Sequence, residues 1–164
     1  MFVRTSLAKS IYPTRSYSVW NWFRGWARAP PMQHLVYPPP HSQFTTGNRI
    51  IDTWITETSE LYPYLAVKQP LLLNFTYATE KDNKITQHLF DILSQQEKYP
   101  LKEDVYLVNI LCDSQGGREL MMEYCVGSHI PCLVVLKKQL VVKTFPLDEE
   151  KHGEQDIIEM LKQI

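Results

Sequence analysis

Apolar residues recur at three- and four-residue intervals in four parts of the chain, which is the spacing of one face of an α-helix. The first part predicts a helix from about Asn48 to Leu61, ended by Pro63. The other three predicted helices have these apolar faces: Ile85, Leu89, Ile92 and Leu93; Leu120, Met121, Tyr124 and Cys125; and Ile157, Ile158, Leu161 and Ile164. We expect these side chains to lie in the core.

Runs of consecutive apolar residues alternate with these helices and predict strands buried on both faces. The strands lie at 71–77, 105–111 and 130–136, followed by an alternating partner strand at 140–145. The segment 137–139 predicts the hairpin turn between the last two strands. The predicted order αβαβαββα describes an α/β domain over residues 48–164, with a central sheet of four to five strands flanked by helices.

The N-terminal residues have a different composition, which predicts a targeting signal. Residues 1–17 contain Arg4, Lys9 and Arg15, five Ser/Thr hydroxyls and no acidic residue, which is typical of a mitochondrial transit peptide. The arginine at position 15 resembles processing sites that place arginine three residues before the mature start, here Ser18. We therefore expect a mitochondrial protein, in the matrix or on the matrix side of the inner membrane. The alternative is a disordered basic tail without a targeting role.

Residues 18–47 predict an extended arm or linker before the domain. The prolines at 30–31 and 38–40 fix φ and remove backbone donors, so we expect a polyproline-like conformation. The predicted contact residues of this arm are Trp20, Trp22, Phe23 and Trp26. Tryptophan with arginine suits a membrane interface, and peripheral contact with the inner membrane is one alternative. We favour docking on the domain or on a partner, because so short a segment does not anchor itself in lipid.

Charge and cysteine content exclude several classes of function. Residues 50–164 hold eleven basic and eighteen acidic residues, an excess of seven negative charges. This acidic domain argues against nucleic-acid binding, and so against a component of the mitochondrial ribosome. No apolar run approaches the eighteen residues of a membrane-spanning helix. The three cysteines form neither a CxxC motif nor metal-ligand spacing, so we expect no disulfide framework, metal or other cofactor.

The order of elements over about residues 48–164 resembles the thioredoxin-like fold. Leu71–Phe75 is similar to the central strand that precedes the active site of that family, and Val105–Asp113 is similar to its third strand. Ile130–Pro131 falls where the family has an X-Pro bond in cis, followed by a strand, a lysine-containing turn and a hairpin. The resemblance implies a mixed sheet flanked by helices, and a surface beside the proline that binds extended peptides.

The chain departs from this family at the redox motif. Aligned on Phe75, the two cysteines of CxxC correspond to Glu80 and Asn83, and the buried acid that assists the second thiol corresponds to Asn74. Dithiol exchange needs two thiols, one of them with a lowered pKa. The resemblance therefore implies a retained scaffold from which this chemistry has been removed, and a protein that is not a dithiol enzyme.

The candidate binding residues lie at the two ends of the implied surface. They are Thr79, Glu80 and Asn83 at the strand–helix junction, and His129, Ile130 and Pro131 at the proline. We expect Thr79 to cap the helix, with Glu80 and Asp82 solvated in its first turn. We assign no catalytic residue and no metal ligand.

Two functions follow from these expectations. The first is a non-redox mitochondrial protein that acts by protein–protein binding, as an assembly or stability factor for a larger complex. The alternative is a single-thiol, glutathione-linked redox enzyme that uses Cys132 or Cys125 as its reactive thiol. We favour the first, because free cysteines are among the most buried residues and both thiols are predicted to lie in the core.

Overall fold

The computed structural model describes residues 34–164, so the predicted transit peptide and Trp20, Trp22, Phe23 and Trp26 lie outside the described residues. Within this range five strands form one sheet: β1 (Arg49–Ile50), β2 (Leu71–Thr76), β3 (Tyr106–Leu111), β4 (Cys132–Lys137) and β5 (Leu140–Pro146). Their spatial order is β1-β3-β2-β4-β5. The strands β1, β2 and β3 are parallel, β4 is antiparallel to β2, and β5 is antiparallel to β4.

Both faces of the sheet are covered by helices. The described residues contain four α-helices: α1 (Thr58–Leu65), α2 (Glu80–Ser94), α3 (Gln115–Glu123) and α4 (Glu154–Leu161). The apolar faces of α2 and α4 share one core cluster, and those of α1 and α3 share another on the opposite face. All six residues of β2 are buried, as predicted for a central strand. None of the described helices is long and apolar enough to span a bilayer.

Two predictions about secondary structure are wrong. The predicted helix at 48–61 is replaced by β1, a bridge from Ile55 to Ile110 of β3, and the later helix α1, which contains Pro63. The predicted alternation of β5 is not realised either, because residues 140–144 are all exposed at the edge of the sheet. The extra strand β1 makes the sheet five-stranded, within the predicted range of four to five.

A segment before the sheet runs along the side of the domain, and we call residues 34–46 the strap. At one end the backbone of Thr45 donates to the carbonyl of Ser94 at 2.9 Å, and Thr46 Oγ1 donates to the carbonyl of Leu93 at 2.5 Å. At the other end the strap reaches the first turn of α2 through His34. It therefore follows the whole of α2, a distance of about 22 Å. The predicted domain boundaries themselves stay predictions.

Candidate functional site

One end of the sheet gathers the candidate binding residues. The strands β2 and β3 end there, and the antiparallel strand β4 begins there. The predicted cis peptide bond between Ile130 and Pro131 is present at this end. The carbonyl of Pro131 accepts a hydrogen bond from the backbone of Leu147 at 2.8 Å, which ties the proline to the segment after β5.

The junction between β2 and α2 is fixed by two side chains. Thr79 caps α2 as predicted, because its Oγ1 accepts the backbone N–H of Asp82 at 3.3 Å. The carboxylate of Asp82 accepts the N–H of Tyr77 at 3.1 Å. Glu80 is exposed, as expected, whereas Asp82 is only 8% exposed. The expectation of a solvated Asp82 is therefore wrong, because this carboxylate turns back to satisfy the end of the strand.

Asn83, which the thioredoxin resemblance aligns with the second cysteine of CxxC, holds the strap. Its Nδ2 donates to the carbonyl of His34 at 2.6 Å. The residue is 8% exposed, and its Oδ1 is buried without a partner among residues 34–164. Asn83 therefore carries no thiol at this position, and its amide is engaged by the strap.

Asn74 replaces the buried acid of the thioredoxin resemblance with a group that does not titrate. It is fully buried, and its Nδ2 donates to Thr86 Oγ1 at 3.0 Å and to Asn109 Oδ1 at 2.9 Å. Its own Oδ1 has no partner in the described part of the chain. An amide at this place links β2, β3 and α2, but it neither releases nor takes up a proton at physiological pH.

A cleft of about 460 Å³ lies beside the cis bond, and we call it the cis-proline cleft. Its walls are Lys81 and Asp82 of α2, residues 129–131, and residues 146–152, which begin at the last residue of β5. Among its ionisable side chains four are carboxylates and two are lysines, with His129 and His152 in addition. The lining therefore carries an excess of negative charge when both histidines are neutral.

Ion pairs join the walls of this cleft across its mouth. Lys81 lies 3.6 Å from Glu150, and Lys84 contacts Glu149. Both lysines belong to α2, whereas both glutamates follow β5. The pair of Lys81 and Glu150 is strongly exposed, with side chains 73% and 77% accessible, so we expect it to contribute little to stability. The Glu150 carboxylate is therefore accessible to a competing cation, whereas the Glu149 side chain is 25% accessible.

The third wall is ordered by its own backbone and by a histidine. His152 Nδ1 accepts the backbone N–H of Asp148 at 2.9 Å. The backbone N–H of Glu150 donates to the carboxylate of Asp148, and this bond holds the pKa of Asp148 below its usual value. Residues 148–152 therefore form a turn that positions carboxylates and not a loose charged loop.

The backbone beside the cis bond offers free hydrogen-bonding groups. Residues 128–130 precede β4 and belong to no strand or helix. Within residues 34–164 their N–H and C=O groups form no hydrogen bond with other backbone groups. Ser128 and His129 are exposed, and Ile130 is half-buried. Such a segment is able to pair with an extended chain in the manner of an added strand.

The three thiols have different environments. Cys112 and Cys132 are 1% and 3% exposed, as expected of core residues. Burial raises the pKa of Cys112 to about 12 and that of Cys132 to about 11. Cys125 is exposed, so the expectation that it faces the core is wrong. It follows the end of α3 with φ of 52°, and this left-handed turn points its side chain away from the helix face.

The candidate residues thus divide into two groups. His129, Ile130 and Pro131 line the cis-proline cleft, together with Lys81 and Asp82. Thr79 and Asn83 form the cap and the strap contact instead, and Glu80 lies exposed on the first turn. Whether any of the predicted residues binds a ligand stays a prediction.

The third wall, residues 146–152, was missed by the sequence reasoning. The predicted hairpin contained the signal, because an antiparallel return brings the end of β5 to the start of β4. Within the described range, no cluster of three or more His, Cys, Asp or Glu side chains is arranged to hold a metal ion.

Comparison with solved structures shows the fold. Thioredoxin O2 of Arabidopsis thaliana aligns over 71% of this chain and 97% of its own, with a TM-score of 0.52 and 18% identity. A thioredoxin of Schistosoma mansoni covers 71% and 95%, with a TM-score of 0.53 and 17% identity. Mitochondrial thioredoxin 3 of Saccharomyces cerevisiae covers 68% and 94%, with a TM-score of 0.51 and 16% identity.

Comparison by sequence adds nothing to this result, since no protein-family model and no curated protein matches the chain. Sequence identities of 16% to 18% with these thioredoxins support a shared architecture, but they do not support a shared activity. The mixed five-stranded sheet, its flanking helices and the aligned thioredoxins together show that the domain has a thioredoxin-like fold.

Proposed function

We propose that this chain is a non-redox thioredoxin-like protein of mitochondria that binds a protein partner, as an assembly or stability factor for a larger complex. The observation that carries the proposal is that neither of the two positions that correspond to the dithiol holds a cysteine. Glu80 is an exposed carboxylate, and Asn83 is buried against the strap. Dithiol exchange has no thiol to start from at either position.

The cis-proline cleft supports binding in place of that chemistry. The free backbone groups of residues 128–130 are able to pair with an extended segment of a partner, and Ile130 and Pro131 supply apolar contact. The carboxylates at 148–150 face the same space. We therefore infer that the bound segment is extended and carries lysine or arginine, since opposite charge favours encounter and register.

The proposal is tested by a photo-crosslinker placed in the cleft. The full-length chain carries a benzophenone amino acid at His129, and the control carries it at Gln87, an exposed residue of α2 outside the cleft. After import into isolated mitochondria and irradiation, we expect a discrete protein adduct from position 129 and none of that mass from position 87. Equal adducts from both positions, or none from position 129, would contradict binding at the cleft.

The charge preference is tested in the same system. Replacing both Glu149 and Glu150 with glutamine keeps the size of the side chains and removes two charges. We expect the adduct from position 129 to fall several-fold and to become less sensitive to salt. An unchanged yield of adduct would show that the bound segment is not selected for its positive charge. Binding at the cleft itself would not be contradicted.

A further inference from the structure

Three hydrogen bonds attach the strap, two at the junction between β2 and α2 and one from Trp54, which lies between β1 and α1. The backbone of His34 donates to the carbonyl of Ala78 at 3.3 Å and accepts from Asn83 Nδ2 at 2.6 Å. The indole Nε1 of Trp54 donates to the carbonyl of Val36 at 3.0 Å. Main-chain groups of the strap are thus satisfied by Ala78 and Asn83 at the junction and by the indole of Trp54.

Ala78 is the residue that the strap covers. Its φ is 53°, in the left-handed region that side chains other than glycine rarely adopt. Its methyl group is fully buried in a small cluster with Trp54 and Leu111, against which Val36 of the strap packs. Strained backbone persists where its surroundings hold it in place, and the strap supplies part of those surroundings.

The same junction continues into the wall of the cis-proline cleft. Asp82 lines the cleft, and its carboxylate accepts the N–H of Tyr77, which immediately precedes Ala78. The next residue, Asn83, holds the strap. The strap, the turn at Ala78 and the cleft wall therefore form one continuous set of contacts within residues 77–83.

We propose that the strap is a conformational latch for this wall. In its docked position it holds Ala78 and the first turn of α2 in the geometry that forms the cleft, and on release this wall relaxes. The coupling is reciprocal: a ligand in the cleft holds the strap, and a partner that draws the strap away changes the cleft. Within residues 34–164 the buried Oδ1 of Asn83 has no partner, which weakens the docked state relative to a fully satisfied contact and makes release accessible.

The latch is tested on the full-length chain without any partner, by hydrogen exchange read by mass spectrometry. The variant Trp54→Phe keeps a ring in the cluster and removes the hydrogen bond to Val36. Trp54 packs against both Ala78 and Leu111, so unchanged exchange at Leu111 of β3 distinguishes coupling through the strap from a direct effect of the smaller ring. We expect exchange about tenfold faster at 34–37 and also faster at 77–82, with β3 unchanged.

A second variant and a control complete the test. Asn83→Ala removes the hydrogen bond from the Asn83 side chain to the carbonyl of His34 and is expected to give the same pattern. Gln87→Ala, an exposed change on the same helix, is expected to change neither segment. Faster exchange at 34–37 alone in Trp54→Phe would show a strap that is not coupled to the wall, and unchanged exchange at 34–37 would show that no latch exists. Either result overturns the proposal. If one of the two variants fails to fold, the other variant decides the test.

Discussion

At the scale of single residues, burial separates the three thiols. The pKa of Cys112 is raised to about 12 and that of Cys132 to about 11, because the thiolate would lose its hydration in the core. Cys125 is the exposed thiol of the described residues. A single-thiol mechanism would therefore have to use Cys125, although Cys132 is the one that follows the cis proline.

This separation predicts three different alkylation rates. In the folded chain at pH 8 we expect iodoacetamide to modify Cys125 at least about a hundredfold faster than Cys112 or Cys132. At that pH a thiol with a pKa of about 11 is ionised in roughly one molecule in a thousand, before any loss of access is counted. Peptide mass spectrometry gives each rate, with Cys125→Ser as the control. Rapid modification of Cys132 would contradict its burial.

The raised thiol pKa values also predict a loss of stability in alkali. An unfolded cysteine loses its proton near pH 8.5, whereas Cys132 keeps its proton to about pH 11. Between these values the folded chain binds more protons than the unfolded chain, so the free energy of unfolding falls as pH rises. We expect the urea midpoint to fall above about pH 9, and to fall less in Cys132→Ala than in the wild type. If the urea midpoints of the wild type and Cys132→Ala fell equally with pH, the burial of Cys132 would not be the cause of the loss of stability.

At the scale of elements, the sequence predicted those whose ends carry a specific signal. Thr79 forms the predicted cap by accepting the backbone N–H of Asp82. The helix predicted from Asn48 failed because its apolar spacing belongs to a short edge strand and a bridge. The signal for the true start was Glu60, whose carboxylate accepts two backbone N–H groups before α1.

The candidate site was predicted in part for a similar reason. Pro131 and its neighbours were identified because a cis proline is tied to a motif. The roles of Asn83 and Asp82 depend on which backbone groups happen to approach them, and His34 is 49 residues from Asn83. Contacts of that kind are set by tertiary packing and leave no local pattern in the sequence.

The packing of α3 gives a prediction about an element. A methyl group on Gly117 would lie 1.9 Å from the carbonyl oxygen of Leu111, at the end of β3. We expect Gly117→Ala to lower the free energy of unfolding by about 2 kcal/mol, because the overlap with backbone exceeds the gain in helix propensity. Gly127→Ala, with no atom within 4 Å of the added carbon, is the control and should change stability by less than about 0.5 kcal/mol. Equal effects in a urea titration would contradict the close approach of α3 to β3.

At the scale of the whole molecule, charge is divided along the chain. Residues 1–49 carry six basic residues and no acidic one, and the acidic excess lies in residues 50–164. A basic leader on an acidic domain fits import followed by removal of the leader. The predicted transit peptide lies outside the described residues, and mitochondrial location is part of our proposal.

Import gives a direct test of this organisation. Radiolabelled full-length chain incubated with energised mitochondria should become protease-protected and shorter, with Ser18 as its first residue. Arg15→Ala should slow or shift this cleavage, whereas Lys9→Ala should leave its position unchanged. A protected chain of unaltered length, or no protection at all, would contradict the predicted leader.

The central claim is that the thioredoxin-like fold is kept here without dithiol chemistry. It is tested most directly by reduction of insulin by dithiothreitol, followed by turbidity, with the purified chain starting at Ser18 and a thioredoxin as the positive control. We predict that insulin is reduced no faster with the chain present than with dithiothreitol alone, because Glu80 and Asn83 carry no thiol and Cys132 is buried. Acceleration that grows with protein concentration, and that is lost in Cys125→Ser or Cys132→Ser, would contradict the account.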